Sequence, residues 1–387
     1  MIRDEGRAEA PSPSEGDEEE AQEERRIAAL FDDKRRLLLV AGAFVVVLVA
    51  LYVLLPDIVG LRGALRRMGQ ATWYWVAGAA VATVAGFAAY VALFRGILGD
   101  LSPETQRRLG FRAAYEITLA GVAASRVLSA AGAGGIIVTY WALRNAGMPR
   151  RLAASRMVAF LVVLYSVYLV VLVAFGVLLR AGVLAGPAPL AGTIVPAAVS
   201  AAVILAIALM ALVPADLERR LLLLAADRGH LRTAAVAAKV ATVPATVATG
   251  LRTAWAYVRH PRKGALAMLG AVGYWAANVA TLWASFEAFG GHVPFGVLVQ
   301  GFFVGMAANL IPSPAAGAGT VDVGMIAAFL LFGVPGEIVF PAVLTYRVMS
   351  FWLPIPPGVV AYFQLRRTVA GWREERYTIK SKVTPGA

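Results

Sequence analysis

The run from Asn309 to Gly358, NLIPSPAAGAGTVDVGMIAAFLLFGVPGEIVFPAVLTYRVMSFWLPIPPG, constrains the fold more than any other stretch. Its apolar course is cut by Pro312, Pro314, Gly317 and Gly319, and it carries one acid, Asp322, and one late base, Arg347. In a bilayer such a run reads as a helix that breaks and turns at mid-depth, with both charges aimed inward. Backbone leaves the helical ladder in lipid only where protein or a wet cavity satisfies its polar groups. Two readings stand: a kink between two packed spans, or one of a pair of short segments that mark a transport site.

Composition decides the solvent. Of 387 residues, 59% are hydrophobic and only 16% charged, and the mean hydropathy is +0.70, which places the chain among polytopic membrane proteins. The absence of cysteine excludes disulfides, thiolate metal sites and cysteine nucleophiles. His230, His260 and His292 are too scattered to share a metal, so no cofactor is expected. The net charge of +12 fits basic cytoplasmic loops meeting anionic lipid, and no nucleic-acid partner is expected.

Taken in order, residues 1–30 form an acidic tail with too little apolar content to fold. Lys34, Arg35 and Arg36 precede the apolar run Leu37–Leu55 and put the amino terminus inside. Residues 57–70 have the spacing of a short amphipathic surface helix. A second span follows from Trp73 to Phe94. The segment Ala113–Leu143 is interrupted by Glu116, Ser125 and Arg126 and broken by Gly132, Gly134 and Gly135, and both its flanks are basic. That pattern fits a hairpin that enters and leaves on one side. Its glycines serve either as a helix-packing face or as a substrate-lining turn.

Met157–Leu179 and Ile194–Val213 read as further spans, with Arg156 just before the first of them. Residues 214–263 hold nine basic residues interleaved with apolar ones, the pattern of amphipathic helices on the inner leaflet or of a head-group reader. Ala265–Phe286 crosses again, Phe295–Leu310 enters, Ile311–Gly319 turns and Thr320–Phe332 returns. Ile338–Phe363 is the last span, and residues 371–387 form a basic cytoplasmic tail. The expected fold is an all-α polytopic membrane protein of about six full spans plus two oppositely oriented re-entrant hairpins, an inverted repeat occupying residues 31–370.

The stretch IPSPAAGAGTVDVGM followed by LTYRVMSFWLPIPPG resembles the flippase-like membrane domain of the lysylphosphatidylglycerol synthase transmembrane family, and ASRVLSAAGAGG is similar to that family's first hairpin turn. The resemblance covers roughly residues 35–370. Pro312, Gly317 and Gly319 match the turn, and Arg347, Trp352, Pro354 and Gly358 match the final span. Asp322 stands where the family usually has Glu, Ser125 where Asn is usual, and Ala130 or Ala131 where Pro is usual. The family includes the lipid-translocating half of the bacterial multiple peptide resistance factor. The resemblance therefore implies translocation or handling of lipid, without the soluble aminoacyl-transferase domain and without catalysis.

The leading expectation is a lipid translocase of the cytoplasmic membrane whose cargo is an anionic phospholipid or a polyprenyl-linked lipid. Arg347, with Arg126 or Arg156, would grip the lipid phosphate, and Asp322, Asn309 and Glu116 complete the candidate set. A charge at mid-bilayer costs about 3 kcal/mol on insertion scales, so Arg347 needs a use or a partner. A structural Arg347–Asp322 pair is the plain alternative. Two other functions compete: a proton- or ion-coupled solute transporter titrating Asp322 and Glu116, and a non-transporting partner of an envelope glycosyltransferase.

Overall fold

Long apolar runs dictate long helices, and a computed structural model describes residues 71–99, 101–127, 133–211, 246–310 and 319–383. No strand occurs among the described residues. They belong to the unit Pro56–Ala387, and the unit Met1–Leu55 lies outside them. So do the acidic tail, the expected first span, the surface helix at 57–70, most of the basic insert, Gly132 and the turn residues Pro312, Pro314 and Gly317.

The helices in chain order are α1 (Trp73–Ile97), α2 (Pro103–Arg108), α3 (Phe111–Val127), α4 (Ala133–Asn145), α5 (Arg150–Arg180), α6 (Ile194–Ala211), α7 (246–259) and α8 (Pro261–Glu287). Then come α9 (Phe295–Met306), α10 (Thr320–Leu331), α11 (Gly336–Arg347) and α12 (Ile355–Val383). Five stretches are long and apolar enough to cross a membrane: Trp73–Ile97, Arg150–Arg180, Leu190–Ala211, Gly264–Glu287 and Gly336–Glu375. They coincide with five of the expected crossings. α6 is the most peripheral: Val195, Val199, Leu205 and Leu209 are all exposed, as suits a helix whose solvent is hydrocarbon.

The final crossing departs from a single expected span. α11 stops at Arg347, a π-helical turn occupies Val348–Trp352, and α12 starts only at Ile355. The cause is local. Pro354 has no amide hydrogen, so the Ser350 carbonyl loses the donor that an α-helix would supply four residues on. Leu353 donates its N–H to Val348 O at 3.0 Å, five residues back. α12 then runs on through most of the expected carboxyl tail.

The packing is built around α1 and α8, which lie antiparallel and make the most extensive helix contact of the described chain. Small residues let the two backbones touch at one end. A Cβ on Gly96 would meet Ala267 Cα at 2.8 Å, and one on Gly270 would meet Ala89 O at 2.7 Å. Gly270→Ala is therefore expected to lower stability by about 1–3 kcal/mol, because neither neighbour is a flexible side-chain end. A fall in the apparent melting temperature of the detergent-solubilised protein checks this.

Two pairs of short helices flank this seam. α3 packs on α4, and α9 on α10. Each pair also packs on a longer helix: α3 lies along α12, and α9 touches α5. The crossing of α3 and α4 is close, since a Cβ on Gly135 would collide with Ser125 Oγ and with Gly121 O. Gly135 is thus needed for helix approach, whichever further part it plays.

Candidate functional site

The tips of the short helices converge on a cavity of about 540 Å³. Its wall takes residues from α1, α3, α4, α5, α8, α9, α10 and α11. Both Arg126 and Arg347 line it, as do Asn309, Ser125 and Gly135. Much of the remaining wall is aromatic: Tyr90, Tyr165, Tyr274, Tyr346 and Phe351.

Arg347 sits at the last residue of α11, with its side chain only 7% exposed. Its Nε lies 2.5 Å from Asp322 Oδ1, an ion pair rather than an aligned hydrogen bond. Asp322 is held in turn by the start of α10. Gly319 takes a positive φ of 85°, which glycine adopts without steric cost, and its N–H donates to Asp322 Oδ2 at 3.0 Å. One carboxylate thus caps a helix with one oxygen and meets a buried cation with the other. Asp322 itself does not line the cavity; it backs Arg347.

Arg126 comes from the other short-helix pair, at the end of α3. Its Nη2 donates to Ser350 O at 2.8 Å and its Nη1 to Phe351 O at 2.6 Å. The planar fork therefore supplies donors at the turn where proline removed one. The guanidinium also lies 5.1 Å from the Phe351 ring centroid, and that of Arg347 lies 4.7 Å from the same ring. A cation over an aromatic face is attracted by the ring quadrupole, and two such contacts share one phenylalanine here. Beside them Tyr346 Oη donates to Asn278 Oδ1 at 3.0 Å, and Asn278 Nδ2 donates to Tyr274 O at 2.9 Å.

The other two charged candidates lie elsewhere. Glu116 is 1% exposed, accepts from Arg112 Nε at 3.0 Å and from Thr368 Oγ1 at 2.7 Å, and does not line the cavity. It holds α3 to α12 behind a separate basic cleft that includes Arg107, Arg112 and Arg367. Arg156 donates to Ile97 O at 3.0 Å and to the Tyr257 hydroxyl, tying α5 to α1 and α7. It too is absent from the cavity wall. Gly134 is buried within α4.

Residues 38–358 match the family described as Lysylphosphatidylglycerol synthase TM region. The chain belongs to that family. It is also similar to a UPF0104 membrane protein of Methanothermobacter thermautotrophicus, with 28% identity over 86 residues. That alignment covers 22% of this chain and 26% of the relative, so the chain spans about a quarter of the length of the curated relative it matches. No solved structure matches. The matched family is the transmembrane region of the lysylphosphatidylglycerol synthase group rather than a catalytic domain, and both cavity arginines, Asn309 and Asp322 fall inside the matched residues.

The aromatic wall is the part of the site that sequence reasoning missed. Tyr90, Tyr165 and Tyr274 sit inside apolar runs, where nothing in their spacing separates a cavity-lining ring from a packed one. Asn278, an amide within an otherwise apolar span, was the one available signal.

Proposed function

We propose that this protein is a lipid translocase of the cytoplasmic membrane, moving a phosphate-bearing lipid head group through the cavity between its two short-helix pairs. The observation that carries the proposal is the polarity of the cavity from floor to rim. Its floor holds two guanidinium groups, while Ile136, Leu161, Tyr165 and Leu310 stand on its wall and are also exposed at the surface, Leu310 to 82%. A cationic, aromatic floor with an apolar open edge suits an amphiphile whose head enters while its chains stay in the bilayer.

Helix lengths support the same reading. α9 and α10 have twelve residues each, about 18 Å at 1.5 Å per residue, too short for a hydrocarbon core of about 30 Å. We read α3–α4 and α9–α10 as re-entrant hairpins of opposite orientation in an inverted repeat, with both termini cytoplasmic. Arg347 lies eleven residues into α11, about 17 Å from its start, which is near mid-depth. There a fork of N–H donors grips a phosphate strongly, because little water competes. Solute transport driven by Asp322 and Glu116 has less support, since neither carboxylate lines the cavity.

The test is reconstitution into liposomes containing head-group-labelled phosphatidylglycerol, followed by chemical quenching from outside. Quenching that passes beyond the outer-leaflet pool is expected, at a rate that rises with protein content. Quenching confined to that pool would reject lipid translocation.

A further inference from the structure

At the end of α3 opposite Arg126, the end of α2, the first turn of α3 and the middle of α12 enclose the basic cleft, of about 430 Å³. Its charged wall is Arg107, Arg108, Arg112 and Arg367, none of which lines the large cavity. These arginines are not equally engaged. Arg108 is neutralised by Glu104 at 3.0 Å and Glu375 at 3.6 Å. Arg112 gives its Nε to the buried Glu116 at 3.0 Å, and its two terminal nitrogens bond to nothing among the described residues. Arg107 and Arg367 are exposed and make no hydrogen bond or ion pair among the described residues. A guanidinium anchored through Nε presents its terminal N–H groups in a fixed plane, the fork that matches a phosphate.

Beyond this charge the same two helix faces turn apolar while staying exposed. α12 runs antiparallel to α3. Thr368 Oγ1 donates to Glu116 at the cleft end, and a Cβ on Gly358 would meet Ala123 Cβ at 2.7 Å farther along. Moving away from the cleft, α3 passes from Arg112 to the exposed Tyr115, and α12 passes from Arg367 to the exposed Phe363 and Val360. Spacings of three, four and seven residues keep each of these side chains on the face of its arginine. The two stripes border one groove, charged at its mouth and apolar along its length. A small soluble anion would use the mouth alone, whereas the apolar continuation suits acyl chains.

We infer that this groove is the docking site of a resident anionic phospholipid from the adjacent leaflet, separate from anything carried by the large cavity. Its phosphate meets the fork of Arg112 between Arg107 and Arg367, and its chains run along Tyr115, Phe363 and Val360. A lipid seated there bridges α2 and α3 to α12 and neutralises two arginines that the protein leaves unpaired. A zwitterionic lipid is disfavoured, because its ammonium group would meet the same arginines.

The chain contains no cysteine, so Phe363→Cys offers one labelling position in the groove and Leu205→Cys one on the exposed face of α6. Each variant is labelled with bimane and reconstituted with lipid brominated on its acyl chains. Brominated phosphatidylglycerol is expected to quench the label at position 363 about threefold more than brominated phosphatidylcholine at equal mole fraction, with no such preference at position 205. Arg107→Gln with Arg367→Gln is expected to abolish the preference at position 363. Neither side chain has a partner to lose among the described residues, so the double variant keeps its fold, which an unchanged melting temperature in detergent verifies. Equal quenching by the two lipids at position 363, or a preference that survives the double substitution, would overturn the site. A preference erased by inorganic phosphate would overturn the lipid as occupant and assign the cleft to a free anion.

Discussion

Arg347→Gln is expected to abolish lipid movement and to destabilise the protein by about 3–5 kcal/mol, because it removes the cation paired with the largely buried Asp322 carboxylate. The two side chains are 7% and 16% exposed, so solvent does little to soften the loss. Loss of transport in this variant alone therefore cannot separate a binding arginine from a structural one. Arg347→Gln combined with Asp322→Asn does separate them. The amide oxygen of the introduced asparagine can still accept the Gly319 N–H, which keeps the start of α10 capped, and the buried negative charge is gone. The double variant is expected to recover most of the lost stability and none of the transport. Thermal stability in detergent and the quenching assay measure the two quantities independently. A double variant that regains both would reduce the pair to a lock between α10 and α11 and remove Arg347 from the proposed phosphate site.

How far the fold was legible follows from what each feature depends on. Long crossings depend on local hydropathy, and the helices from Trp73, Arg150, Ile194 and Pro261 lie where the apolar runs put them. The helical stop at Leu310 and the restart at Thr320 were equally plain, because Pro and Gly act on their own backbone. The interruption at Val348–Trp352 was only half visible. The prolines of LPIPPG lie inside the expected span Ile338–Phe363, and the structure uses the first of them to open a π turn in its middle.

Charges were the least legible part of the site. Glu116, Arg126, Arg156 and Arg347 look alike as isolated charges in apolar surroundings, and only two of the four reach the cavity. Glu116 carried a warning in its spacing, since Arg112 stands four residues earlier, the separation that pairs side chains on one helix face. Arg156 gave none: its partners, Ile97 and Tyr257, are 59 and 101 residues away. The carbonyls that Arg126 meets are more than two hundred residues distant, so no local pattern could have supplied them.

That long-range contact sets the second large effect. Arg126→Gln removes the donors to Ser350 O and Phe351 O, and an unsatisfied buried carbonyl costs about 1–3 kcal/mol each. Arg126→Lys keeps the charge but not the planar fork, so it is expected to recover only part of the stability. The origin of the demand is testable from the other side. Pro354→Ala restores an amide hydrogen within reach of the Ser350 carbonyl, allowing the α-helical ladder to close across the turn. Added to Arg126→Gln, it is expected to return much of the lost melting temperature. It also straightens the segment that follows Arg347 and draws Phe351 away from the two guanidinium groups that share its ring. The double variant should therefore be stable and inactive. If it is stable and moves lipid at the native rate, neither the break in the last crossing nor Arg126 belongs to the transport machinery. If Pro354→Ala gives no rescue, the Ser350 carbonyl is not what Arg126 stabilises, and its weight in the fold lies with Phe351.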